Sequence, residues 1–164
     1  MNNGMIWLKR IFSILLALSL LCGCSAEKSK FELPYFSKNA IISCRNFEYD
    51  CNISYSKEGV TIDVLSTAAK GLSIYYNGNE ISFSYGDIKI LEQNRNFELT
   101  NPAIAVFDLI SAINNQSDAE LKKENNSYNI CGKTKLGDFI ADFDEDFQPV
   151  SVRFSESDFE IEFK

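Results

Sequence analysis

The sequence predicts an α+β chain that is mostly β: a curved antiparallel sheet, an incomplete barrel, wrapped around one apolar helix. Two observations predict it. From Ala40 onward apolar and polar residues alternate in short runs divided by turn residues, which is the period of strands buried on one face. Only the segment from Ala103 to Asn114 breaks that period, with apolar residues at helical spacing.

The chain opens on an export signal. Lys9 and Arg10 form a basic n-region, Ile11 to Leu21 an apolar h-region, and Gly23 a small residue before Cys24. A spanning helix needs about 20 apolar residues, and Lys9 and Arg10 interrupt the stretch that would supply them. A plain secretory peptide leaves Cys24 unexplained. Leu21-Cys22-Gly23-Cys24 resembles the lipobox of bacterial lipoproteins, which implies a diacylglyceryl group on the Cys24 thiol and cleavage before it. The expected organisation is then a lipoprotein signal peptide over 1–23, a lipidated N-terminus and tether over 24–38, and one domain over 39–164. Two acyl chains hold a protein on a bilayer stably where one does not. The expected location is the extracytoplasmic face of the cell membrane.

The strands follow in order. Tyr49, Cys51, Ile53 and Tyr55 share one parity, and Lys57-Glu58-Gly59 turns into Val60, Ile62 and Val64. Leu72, Ile74 and Tyr76 are joined to Ile81, Phe83 and Tyr85 by Asn77-Gly78-Asn79, a hairpin signal because Asn and Gly accept positive φ. Gly86-Asp87 leads into Ile88 and Ile90. After the helix come Tyr128 and Ile130, then Phe139, Ala141 and Phe143, then Val150, Val152 and Phe154, and finally Phe159, Ile161 and Phe163. These make nine or ten short strands. Asn101-Pro102 suits a helix start. The helix carries Ile104, Val106, Phe107, Leu109, Ile110 and Ile113, with Asp108 its only charge, so it is expected to be buried on several sides. Residues 114–126 read as a polar connection.

Several chemistries are excluded by the residues. The chain has no histidine, so neither a Ser/His/Asp nor a Cys/His arrangement exists. Asp142, Asp144 and Asp146 open like a calcium loop, yet Phe147 stands where an EF-hand needs glycine and Arg153 where its bidentate Glu belongs. Asp144 to Pro149 therefore reads as a hairpin loop. Glu156, Asp158, Glu160 and Glu162 alternate with Phe159, Ile161 and Phe163 and belong to a solvent face, which also protects a strand edge. A formal net charge of −7 disfavours nucleic acid, which is held through clustered Lys and Arg. No catalytic residue, metal or cofactor is expected.

Cys44, Cys51 and Cys131 follow the anchor, an odd number. Outside the cytoplasm Cys44 and Cys51 are the nearest pair for a disulfide, and the alternative is three small buried thiols. The chain carries 13 Phe and 7 Tyr, an aromatic excess that a packed core or an apolar cavity would each use. Where a strongly curved sheet fails to close on its helix, the gap is an apolar cavity suited to acyl chains. Its candidate lining is Ile104, Phe107, Leu109 and Ile110 from the helix with Ile74, Tyr76, Phe83 and Tyr85 from the sheet. The competing expectation is a filled core and an envelope protein-interaction or structural role through the acidic outer face.

The order of these elements resembles the LolA/LolB-like half-barrel lipoproteins and lipoprotein carriers. The resemblance runs from Gly59 to Ser66 and Lys70-Gly71-Leu72 through Asn77-Gly78-Asn79 and Ile81 to Gly86, then the Pro102 helix, Tyr128 to Gly132, Gly137 to Asp144 and Pro149 to Phe154. It implies an incomplete antiparallel barrel whose concave face accepts lipid acyl chains. The chain departs from that pattern in having one clear helix and no match for the carriers' functional arginine.

Overall fold

The computed structural model describes residues 32–93, 101–115, 119–124 and 126–164. Cys24, the signal peptide and most of the expected tether lie outside the described residues. Among the described residues the chain forms β1 (Phe36–Cys44), β2 (Phe47–Ser56), β3 (Gly59–Val64), β4 (Leu72–Tyr76), β5 (Glu80–Tyr85) and β6 (Ile88–Gln93), followed by the helix α1 (Pro102–Asn115). It then continues as β7 (Ala119–Glu124), β8 (Ser127–Thr134), β9 (Gly137–Phe143), β10 (Pro149–Phe154) and β11 (Phe159–Phe163).

All eleven strands belong to one sheet in the order β6-β5-β4-β3-β2-β1-β11-β10-β9-β8-β7. Every pairing is antiparallel. Two meanders meet where β1 pairs β11, with Ala40 opposite Phe163 and Cys44 opposite Phe159. The seam is tied at its end by Lys164, whose N–H donates to Asn39 O at 2.8 Å and whose Nζ reaches Asp50 Oδ1 at 2.7 Å. Among the described residues the sheet stays open, with β6 and β7 as its two edges and α1 packed on the concave face.

The alternation of the sequence sets this curvature. Ile42, Ile53, Ile62, Ile81, Ile130, Ala141, Val152 and Ile161 all face inward and are fully or almost fully buried. Against them α1 packs Ile104, Val106, Leu109, Ile110 and Ile113, reaching strands on both halves of the sheet. Its start matches the sequence signal: Asn101 Oδ1 accepts the Ala103 N–H at 3.0 Å, and Pro102 takes the first turn, where a missing N–H costs nothing. The Asn77-Gly78-Asn79 turn is closed by Asn77 Oδ1, which accepts the N–H groups of Asn79 and Glu80 at 3.0 and 2.8 Å.

Three sequence expectations are corrected. Residues 114–126 contain β7, whose Ala-Glu-Leu-Lys-Lys-Glu run offers too little apolar alternation to be read as a strand. The boundary at 38 and 39 falls inside β1, and Leu33 is already buried in the core. Val150 faces out while Pro149 faces in, because the ladder between β10 and β9 shifts register between Pro149 and Ser151, as a bulge does.

Candidate ligand-binding surface at the open edge

On the concave face the register of β4, β5 and β6 builds three rows. Leu72 stands opposite Tyr85 and Tyr85 opposite Ile88; Ile74 opposite Phe83 and Phe83 opposite Ile90; Tyr76 opposite Ile81 and Ile81 opposite Glu92. The helix contacts β3 and β4, and burial fades with distance from it. Ile74 is 7% exposed, Phe83 half-buried and Ile90 51% exposed. In the neighbouring row Leu72 is half-buried, Tyr85 51% and Ile88 64% exposed. The row with Ile81 instead ends on the charged Glu92. The result is an inward-facing apolar strip of Leu72, Phe83, Tyr85, Ile88 and Ile90 that the helix leaves uncovered.

The eight expected lining residues divide. Ile74, Tyr76, Ile104, Leu109 and Ile110 are buried in the packed interior. Phe107 is half-buried and meets Tyr76 edge-on, with ring centroids 5.2 Å apart at 79°. Phe83 and Tyr85 reach the open strip. Phe107 and Ile110 also border a groove of about 240 Å³ beside the C-terminal half of α1, shared with Tyr35, Tyr55 and Asn114. Leu72, Ile88 and Ile90 were missed as site residues. Their alternation was visible, but nothing in a sequence shows where a helix stops covering a sheet.

Of the two alternatives for the cysteines, the Cys44–Cys51 disulfide is not formed. Both side chains face inward on adjacent strands, yet Cys51 stands opposite Ala40. Cys44 lies roughly 13 Å further along β1 at the rise of a strand, whereas a disulfide needs Cα atoms within about 7 Å. Cys44, Cys51 and Cys131 are all free thiols. Burial, and after it the carboxylates of Asp50 and Asp63, push the Cys51 thiol up to about 12. Its Sγ approaches Ala40 O at 3.7 Å.

The carboxylates of Asp142, in β9, and Asp144, in the β9–β10 loop, are used internally. Asp142 accepts Asn129 Nδ2 at 2.8 Å and Ser151 Oγ at 2.7 Å, and Asp144 Oδ1 accepts the N–H groups of Asp146 and Gln148. The Asp144 bonds are those of a hairpin loop, in which an Asp side chain substitutes for a backbone turn, whereas Asp142 ties β9 to its neighbours β8 and β10.

No family model matches the sequence, and no curated protein matches it. Among solved structures, the chain is similar to a LolA superfamily protein from Nitrosomonas europaea, over 82% of this chain and 70% of that one, at 10% identity and a TM-score of 0.37.

Proposed function

We propose that this protein is a non-catalytic binding module for an apolar or lipidic ligand, held on the extracytoplasmic face of a membrane by acyl chains on Cys24. One observation carries the ligand reading: Tyr85, Ile88 and Ile90 face the concave side of the sheet, yet each is more than half exposed. Contiguous exposed apolar surface marks an interaction site, and covering the exposed part of each side chain gains on the order of 1 kcal/mol. A concave strip that runs from the half-buried Leu72 and Phe83 to the exposed Tyr85, Ile88 and Ile90, beside the buried Ile74, suits an extended acyl chain lying along β5 and β6. The anchor reading rests on the lipobox sequence.

The test is native mass spectrometry and lipid extraction of the full chain purified in mild detergent. A stoichiometric apolar adduct is expected, reduced at least severalfold by Ile90→Asp with the circular dichroism spectrum unchanged. An adduct-free wild type, or an adduct indifferent to Ile90→Asp, overturns the ligand reading. Labelling with radioactive fatty acid tests the anchor separately: Cys24→Ala should lose the label and leave the membrane fraction.

A further inference from the structure

We propose that two copies of this chain pair through β6, antiparallel about a two-fold axis, to make one continuous sheet. The two edges of the sheet are built differently. β7 carries Glu120, Lys122 and Lys123, all exposed, and charge of this kind is how natural edge strands resist pairing. β6 carries only Lys89 and Glu92, of opposite sign, among Ile88, Ile90 and Leu91. Among the described residues its backbone has a partner on one side alone, β5.

Exposure on both faces of β6 identifies the occupant as a strand. Ile88 and Ile90 face the concave side, but Leu91, 61% exposed, stands opposite Ser82 on the convex side. An acyl chain in the concave strip cannot cover Leu91. An added strand places side chains on both faces while satisfying the free N–H and C=O groups of the edge.

Sheet direction then selects β6 over β7 as the mate. With every neighbour antiparallel, β6 and β7, at the two ends of an eleven-stranded order, run the same way. Two copies with concave faces aligned could therefore join β6 to β7 only in parallel and against the charges of β7. Joining β6 to β6 is antiparallel and isologous, the geometry that closes as a dimer and does not propagate as a fibre. Because the two-fold axis is perpendicular to the sheet, residues of equal parity stand opposite one another. Centred on Ile90, the register sets Ile90 against its own copy, Lys89 against Leu91 of the second copy, and Ile88 against Glu92 of the second copy. No charge then stands directly opposite its like, and the long Lys89 stem lies along Leu91. The two apolar strips meet at the seam.

This pairing does not depend on the ligand reading, and the experiment separates them. The full chain in detergent is measured by light scattering across a concentration series, with protein mass separated from detergent mass. Twice the single-chain mass is expected at the upper concentrations, and Ile90→Lys should return it to one chain. Under mild oxidation Ile90→Cys should give a disulfide-linked dimer, whereas Phe47→Cys, in an exposed position at the β1–β2 hairpin, should give none beyond the wild-type background. Should Ile90→Lys fail to fold, the two cysteine variants decide alone. A single-chain mass throughout, or equal crosslinking at positions 47 and 90, overturns the proposal. A persistent dimer without bound lipid overturns the ligand reading only.

Discussion

Asn114, near the C-terminal end of α1, holds Leu33 and the strand β2 at once. Its Oδ1 accepts the Leu33 N–H at 2.8 Å, and its Nδ2 donates to the Tyr55 hydroxyl at 3.2 Å. One amide thus fastens the segment leading into β1 to the helix packed on the concave face, across 81 residues of sequence. Losing both partly buried bonds costs about 1 to 3 kcal/mol. Asn114→Ala should therefore lower the thermal midpoint by several degrees, and hydrogen exchange should show the Leu33 amide losing protection ahead of β1.

Gly78 is fixed by a neighbour as well as by its backbone. Its φ is +94°, and a Cβ there would stand 2.9 Å from the Phe107 ring. Gly86, at φ +56°, has nothing within 4 Å of that position. Gly86→Ala should cost about 1 to 2 kcal/mol of left-handed strain. Gly78→Ala should cost clearly more, because the ring or the turn must also move; equal denaturation midpoints for the two variants would contradict this.

Thiol labelling should rank the cysteines. Cys44 and Cys131 are half-buried and Cys51 fully buried, and a thiol reacts as its thiolate. In the folded protein at pH 8, mass spectrometry after alkylation should find Cys51 unmodified long after the other two. With its folded value about 12 against an ordinary 9.0, the Cys51 contribution to stability is complete below pH 9. It is lost as pH rises from 9 toward 12, because only the unfolded chain ionises there. Tyr49, also raised by burial, acts in the same direction. Denaturation midpoints should fall through that window, and less steeply in Cys51→Ala.

Asp108 is the one charge of α1, and burial raises its carboxyl above the ordinary 3.8 against the opposing pull of Lys135 at 3.8 Å. A raised carboxyl contributes stability that is complete below its unfolded value and lost as pH rises through the folded one. Asp108→Asn should accordingly match or exceed the wild-type denaturation midpoint at pH 7, with the gap closing below pH 4. A lower midpoint at pH 7 would show the Lys135 pair to outweigh the burial.

Where side-chain period and turn residues coincide, the fold was legible in the sequence. Ile74 and Phe83 flanking Asn77-Gly78-Asn79 gave a hairpin, and α1 lies within one residue of its expected bounds at each end. β7 was illegible because Leu121 and Ala119 are its only apolar residues, and its pairing with β8 supplies what its own composition lacks. The site was half legible. Aromatic alternation pointed to Phe83 and Tyr85, but whether Ile74 or Ile90 is the covered end of their row depends on where α1 crosses the sheet, a tertiary fact with no local signature.

The join of β1 to β11 has a consequence for biogenesis. As the polypeptide emerges in order, β1 to β6 can zip into a six-stranded ribbon by local contacts, yet the far rim of β1 must wait until Phe159–Phe163 arrives. Distant contacts of this kind slow folding. During that delay Ala40 and Ile42 have Cys51 and Tyr49 beside them on β2 but still lack Phe163 and Ile161 of β11, a sticky rim that only the last strand covers.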